Sequence, residues 1–308
     1  MLVMSYVQNS LVDDTFQILQ EKRWKDSNYE DSLYHLLICS CKEASRYEDA
    51  IRTYNKMPQS DIYPNLHITS SMIDVFSILN RFTEAEDLYL KLIHCGDAAN
   101  TITFNVMLDI YGKAGFLIKA RKVFWMAHKQ YLADIISYNT IISVHGKNKD
   151  FKLMRYFVQR MRNADYSSFL EAYNSMLDAY GKEGLLEKFN EVLQEMKQTS
   201  CTSNHYTYNI LINIYGKKGW IEEVADVLSE LKQCGLEPDL YSYDSLIKAY
   251  GIAGMVEEVV NVVLEMRTKG IDPDRVAYSN LVVALRQNEN SLEAVKWSLW
   301  MKQIGMSK

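Results

Sequence analysis

A five-residue phrase returns along this chain at an almost constant interval. It reads Tyr111-Gly-Lys-Ala-Gly115, His145-Gly-Lys-Asn-Lys149, Tyr180-Gly-Lys-Glu-Gly184, Tyr215-Gly-Lys-Lys-Gly219 and Tyr250-Gly-Ile-Ala-Gly254, in steps of 34, 35, 35 and 35 residues. A second phrase keeps the same interval: Phe104-Asn105, Tyr138-Asn139, Tyr173-Asn174, Tyr208-Asn209, Tyr243-Asp244 and Tyr278-Ser279. A period in this range belongs to a repeat array. In such an array each unit touches only its neighbours, and the core grows in one dimension. The 308 residues would suggest about two ordinary domains; here they are expected to form one continuous solenoid.

With each unit opening four residues before the residue that follows the aromatic, full units span 31–65, 66–100, 101–134, 135–169, 170–204, 205–239, 240–274 and 275–308. Residues 1–30 supply part of an earlier unit. Within a unit, apolar residues such as Phe104, Met107, Leu108 and Tyr111 fall on one helical face. Thr or Ser before the aromatic (Thr103, Ser137, Thr207, Ser242) suits a helix N-cap. Gly115, Gly184, Gly219 and Gly254 suit the left-handed residue that ends a helix. A second amphipathic stretch follows, for example Ile221, Val224, Val227, Leu228 and Leu231. The expected fold is therefore all-α: about seventeen helices in tandem helix–turn–helix repeats, without strands.

The five cysteines are odd in number and scattered, which reads as reduced thiols. No stretch is apolar for long enough to span a membrane. A net charge of −5 does not by itself suggest nucleic acid, but its distribution matters more. Acidic pairs such as Glu222-Glu223 and Glu257-Glu258 fall on second helices, which are expected to form the outer side. Lys113, Lys147, Lys182 and Lys217 recur at one place on the first helices, near Asn105, Asn139, Asn174 and Asn209. A cation recurring at the repeat step can meet successive phosphates; it can equally be a solvated Lys favoured by the helix dipole. The Asn series can line a binding surface or help cap its helices. Ile102, Ile136, Tyr206, Tyr241 and Val276, at the second place of their units, can pack on base faces or serve as ordinary helix-start packing. The chain carries neither a signal peptide nor an Arg/Ser-rich presequence, and it is expected to be truncated at its start, with any transit peptide not present.

Taken together these phrases resemble the pentatricopeptide repeat, in its plain 35-residue form, over essentially the whole chain. The resemblance implies a right-handed superhelix that binds single-stranded RNA without catalysis, one base per repeat, read by two or three side chains. It implies that the fifth and last residues of a unit contact the base, that the second stacks on it, and that RNA runs 5′ to 3′ from the N-terminal to the C-terminal repeats. The pairs so implied are Ser70 with Asn100 for adenine, Asn105 with Asp134 for uracil, Asn174 with Asn204 for a pyrimidine, and Asn209 with Asp239 for uracil. Asn139 with Phe169 keeps a pyrimidine-leaning Asn, which gives a core of A-U-pyrimidine-pyrimidine-U across units 66–239. His35 with Asn65 has no usual reading. Asp244 with Asp274 sets two carboxylates beside a base, which is expected to be unfavourable; Ser279 leans toward a purine. The resemblance also implies a chloroplast or mitochondrion, with a role in RNA stability, processing or translation.

No catalytic or metal-binding constellation is evident. The six histidines include no HxxxH pair and no HxE followed by CxxC, and no phosphate-cradling glycine loop occurs. The glycines read as helix punctuation, and no cofactor, DNA or membrane partner is expected. Trp297 and Trp300 in the last helix read as capping of the array's end or as a patch for a protein partner. The competing function is a protein–protein scaffold using the same inner face. The polar pair repeated at the fifth and last places separates the two, since a peptide groove has no reason to repeat it.

Overall fold

The computed structural model describes residues 27–57, 66–94, 100–164, 166, 168–199, 201–288 and 290–303. Among these residues there are sixteen α-helices and no strand. The chain falls into two compact units, residues 1–166 and 167–308.

In the first unit the helices are α1 (Ser27–Glu43), α2 (Tyr47–Lys56), α3 (Leu66–Ile78), α4 (Phe82–His94), α5 (Thr101–Lys113), α6 (Leu117–Lys129), α7 (Ile135–Lys147) and α8 (Phe151–Asn163). The second holds α9 (Leu170–Lys182), α10 (Leu186–Gln198), α11 (His205–Lys218), α12 (Ile221–Gln233), α13 (Leu240–Ile252), α14 (Val256–Thr268), α15 (Arg275–Gln287) and α16 (Ser291–Gln303). Odd-numbered helices open the repeats, and each packs on the even-numbered helix that follows it. Within each unit, successive odd-numbered helices also pack on one another. A helix–turn–helix tandem array, as the periodicity implied, is what the chain builds.

The recurring aromatics are the centre of each repeat. Phe104, Tyr138, Tyr173, Tyr208, Tyr243 and Tyr278 are all essentially buried. Second helices meet them with residues such as Phe124, whose ring lies edge-on to Tyr138 at 5.0 Å and to Phe157 at 5.0 Å. Burying one such side chain contributes roughly 1.5–3 kcal/mol, so each repeat is held chiefly by the apolar stripes that the period displays.

Two kinds of glycine do different work. Gly115, Gly184, Gly219 and Gly254 end their helices at φ between 70° and 76°, a conformation that costs a residue with a side chain. The glycine of each Tyr-Gly phrase is helical and marks a helix–helix contact. A Cβ at Gly112 would stand 2.2 Å from Val144 Cγ2, one at Gly181 2.6 Å from Ile214 Cγ1, and one at Gly216 2.5 Å from Ala249 Cβ. These residues set how closely neighbouring repeats approach, a role that a reading of all glycines as punctuation does not contain.

The first helices are capped otherwise than expected. The N-cap is the last residue of the preceding repeat, whose side chain accepts from the third backbone N–H: Asn100 from Thr103 at 2.8 Å, Asp134 from Ser137 at 2.8 Å, Asn204 from Thr207 at 3.0 Å and Asp239 from Ser242 at 2.8 Å. Thr103, Ser137, Thr207 and Ser242, expected as the caps, occupy the third helical position. In three of these helices (α7, α11 and α13) they complete a reciprocal capping box. Such a cap contributes about 1 kcal/mol.

His145 stands where other repeats have Tyr. Its ring is fully buried, stacks on Phe157 at 5.4 Å, and donates from Nδ1 to Asp150 Oδ2 at 3.2 Å, while Nε2 has no partner. Burial pushes its pKa below the ordinary imidazole value, against the opposing pull of Asp150. Below about pH 6.5 the unfolded chain takes up a proton that the folded ring resists, so stability falls with pH through that range. The change His145→Tyr is expected to abolish this acid sensitivity. Melting curves from about pH 7.5 to 5 should show the wild type losing stability relative to the variant as pH falls; a pH-independent difference would refute it.

Candidate nucleic-acid interface

The exposed second-place residues form the first element of the site. Ile102, Ile136, Tyr206, Tyr241 and Val276 are large and apolar, yet between 51% and 72% exposed. Water-facing apolar side chains at the first turn of five separate helices are not helix-start packing against the core. They are faces without a protein partner on that side.

Beside them lie the fifth residues, two of which touch the N-cap at the end of their own repeat. Asn105 Nδ2 donates to Asp134 Oδ1 at 3.2 Å, and Asn209 Nδ2 donates to Asp239 Oδ1 at 3.2 Å. The two members of each pair are 29 and 30 residues apart in sequence. They meet because the cap begins a helix packed against the one bearing the Asn. Ser70 and Asn100 are joined through Thr103: Ser70 Oγ lies 2.7 Å from Thr103 Oγ1, which donates to Asn100 Oδ1 at 2.9 Å. Asn174 and Asn204 are joined the same way, Thr207 Oγ1 lying 2.8 Å from Asn174 Oδ1 and 3.0 Å from Asn204 Oδ1. The Asn side chains therefore do not cap their own helices. Asn65 lies outside the described residues, and its proposed partner His35 places Nε2 3.3 Å from Ser71 Oγ and 3.3 Å from Cys39 Sγ.

In the second unit these elements enclose a cleft of about 840 Å³, lined by Tyr206, Asn209, Asp239, Tyr241, Asp244 and Lys248 among others. The two carboxyls in it differ in electrostatics. Burial alone would raise the pKa of Asp239, but the Ser242 N–H and hydroxyl and the Asn209 amide hold it below its ordinary value. Asp239 is thus an anionic acceptor at neutral pH. Asp244 has one oxygen buried without a partner, and burial together with neighbouring Asp274 raises its pKa to about 6. Asp274 caps α15 through Val276 N at 2.7 Å and Ala277 N at 2.9 Å.

The repeated lysines are unequal. Lys113 is paired with Asp109 and Lys182 with Asp178, both at 2.6 Å on their own helices. The pKa of Lys217 is lowered by burial and by the charges of Lys248 and Lys182. That crowding of like charge favours an anion. Lys147 is exposed. Trp297 is engaged in stacking on Tyr278 at 5.8 Å, and the Trp300 side chain lies outside the described residues. Among the described residues no His, Cys, Asp or Glu cluster is arranged to hold a metal, and no helix is long and apolar enough to cross a membrane.

Sequence profiles agree with this geometry. One described as PPR repeat matches residues 32–62, 68–97, 102–129 and 241–271. One described as PPR repeat family matches 171–217 and 207–252, and one described as pentatricopeptide repeat domain matches 126–183. A chloroplastic pentatricopeptide repeat-containing protein of Arabidopsis thaliana is 42% identical over 54% of this chain and 30% of its own length. A second Arabidopsis thaliana relative, also named chloroplastic, is 26% identical over 43% of this chain and 27% of its own. The chain spans about a third or less of the length of these curated relatives. Among solved structures, the pentatricopeptide repeat protein PPR10 from maize superposes with a TM-score of 0.71 over 97% of this chain and 42% of its own. The same protein in complex with an 18-nt psaJ RNA element gives 0.72, over 97% and 43%. At 23% identity this likeness is one of fold.

A carboxyl whose folded pKa lies above its unfolded value stabilises the fold below that unfolded value and loses the contribution as pH rises through the folded one. For Asp244 that window runs from about pH 4 to about 6. Asp244→Asn is expected to be more stable than the wild type by about 1–2 kcal/mol at about pH 8, partial exposure having trimmed the full value, and equal to it at about pH 4. Chemical denaturation at the two pH values checks this. A gain of the same size at both would place the effect outside the carboxyl's charge.

Proposed function

The chain belongs to the pentatricopeptide repeat family, and from that premise we propose that it binds single-stranded RNA selectively and without catalysis, one base to each repeat. The observation that carries this reading is the repeated contact of a fifth-place amide with a cap carboxylate beside an exposed apolar face, seen in Asn105 with Asp134 and in Asn209 with Asp239.

The chemistry of that pair suits uracil. Asn209 Oδ1 accepts from Ser242 Oγ at 2.6 Å, which turns the amide nitrogen to the available face. Asp239 Oδ1 takes the Ser242 N–H at 2.8 Å and the Asn209 amide at 3.2 Å, leaving Oδ2 with only the longer 3.4 Å contact from Asn209. A donor beside an anionic acceptor complements a carbonyl oxygen beside an N–H, which is the pairing edge of uracil. Cytosine presents a lone pair where uracil has its N–H and would face the carboxylate unfavourably. Second-place side chains such as Tyr206 and Tyr241 supply stacking surface, which every base can use. Lys217, with Lys147, Lys113 and Lys182, supplies charge for the backbone.

On this reading units 66–239 recognise A-U-pyrimidine-pyrimidine-U, and the protein acts by occupying RNA, shielding it from exonucleases or holding it unpaired. The chloroplastic relatives support an organellar site of action.

Binding of labelled oligoribonucleotides, followed by anisotropy, tests the proposal. RNAs carrying the A-U-pyrimidine-pyrimidine-U core should bind more tightly than shuffled ones. Asn209→Thr, with Asp239 kept, should move the preference at that base from U toward G by about tenfold, neighbouring positions being unchanged. Lys217→Ala should weaken all RNAs alike and flatten the salt dependence by about 0.7 in log–log slope. Equal affinity for core and shuffled RNAs would leave a protein scaffold as the better account.

A further inference from the structure

The position-three hydroxyl of each following repeat recurs in the polar contacts but belongs to neither member of the base-facing pair. Ser137 Oγ donates to Asn105 Oδ1 at 2.6 Å, Ser242 Oγ to Asn209 Oδ1 at 2.6 Å, and Thr207 Oγ1 to Asn174 Oδ1 at 2.8 Å. Thr103 Oγ1 lies 2.7 Å from Ser70 Oγ. Every fifth-place side chain followed by such a hydroxyl has its inner atom satisfied.

One repeat supplies the contrast. The residue in the same register after Asp244 is Ala277. There the inner oxygen of the fifth residue, Asp244 Oδ1, is buried and without a partner. An unmet acceptor of this kind is costly, and nothing then fixes which end of an amide at that place would face outward.

We infer that Ser242, and by the same contact Ser137 and Thr207, are positioning residues for base selection: each hydroxyl holds the preceding repeat's Asn with its carbonyl inward and its N–H groups outward. This rests on the RNA-binding reading above and adds a third residue to each reading pair, donated by the next repeat. The reason is hydrogen-bond bookkeeping. A primary amide is close to symmetric in shape, and rotation by half a turn exchanges donor for acceptor. With the carbonyl outward, Asn209 and Asp239 would present two acceptors. That face repels the uracil carbonyl and accepts the amino group of cytosine or the paired N–H groups of guanine. The Ser242 hydroxyl accepts the Asp239 N–H at 3.2 Å and lies 2.6 Å from Asn209 Oδ1, which takes its one proton, while the Asp239 carboxylate takes the outward N–H at 3.2 Å; a turned amide would set its carbonyl oxygen against that carboxylate. In Asn105 and Asn209 the outward amide is held a second time, by the cap carboxylate.

The test uses the whole chain and four oligoribonucleotides identical except for U, C, G or A at the base assigned to unit 205–239. The wild type should prefer U over C by about tenfold. Ser242→Ala should reduce that ratio to about twofold or less, by weakening U and strengthening C or G, and Ser242→Thr should retain it. A uniform loss of affinity for all four RNAs would show that Ser242 only supports the helix start, and would overturn the inference. So would an unchanged preference in Ser242→Ala. An independent arm works by gain. Asp244→Asn/Ala277→Ser should prefer U at the next base more strongly than Asp244→Asn alone, and equal preferences would count against the inference. If the wild type fails to distinguish core from shuffled RNA, the underlying reading fails as well; selective binding with an unaltered Ser242→Ala pattern defeats only this one.

Discussion

The close approach of consecutive first helices governs the rest of the arrangement. At Gly112, Gly181, Gly216 and Gly251 the space a Cβ would need is already filled by a side chain of the next repeat, between 2.2 and 2.7 Å away. No ordinary side chain fits such a contact without moving the helices apart. The polar contacts nearby have no such slack: the hydroxyl-to-amide bonds are 2.6–2.8 Å long and the amide-to-carboxylate bonds 3.2 Å. Hydrogen bonds weaken steeply beyond such lengths. The glycine therefore connects an apolar interface to a polar one. Packing energy keeps the helices together, and the absence of one methyl group sets the distance at which the fifth residue meets the next cap.

That polar layer handles two carboxyls in opposite ways. Asp239 sits among a backbone N–H, a hydroxyl and an amide, and stays ionised. Asp244, which stands in the next repeat where Asn209 stands in this one, faces Asp274 and has no hydroxyl at Ala277, and its pKa climbs. The difference follows from Ser242 versus Ala277 and from Asn209 versus Asp244, so it is local to each repeat. Neighbouring repeats of one array can thus have unlike chemistry in the same architecture.

Much of this was legible in the sequence, because each repeat restates the same physical demand. The apolar spacing around Phe104 or Tyr208 defines a helical face, and the steps of 34 and 35 residues define the array. The recurring Asn stood out because a poor helix former had returned at one phase. What stayed hidden was the assignment of partners. Ser137 and Ser242 were visible as recurring hydroxyls, and capping was the obvious local use for them. Their bonds to Asn105 and Asn209 span 32 and 33 residues, and no local pattern encodes which helix lies opposite. The glycine of the Tyr-Gly phrase was equally visible and equally ambiguous, since its neighbour Val144 or Ile214 belongs to the next repeat. The absence of a hydroxyl at Ala277, set beside its presence at Ser242, was the signal that could have revealed the third residue.

The last residue of each repeat begins the next helix, and this double duty limits its alphabet. Only short side chains with an accepting oxygen can bond the third N–H from that place, which means Asp, Asn, Ser and Thr. Asn100, Asp134, Asn204, Asp239 and Asp274 all come from that small set, and Phe169, which does not, leaves its helix without a side-chain cap. Any vocabulary written at this place is thus narrowed by helix chemistry before a ligand has any say. The fifth place, on the body of a helix, carries no such duty and shows it, with His, Ser, Asn and Asp all present. Variation that alters recognition while leaving the scaffold intact has more room there.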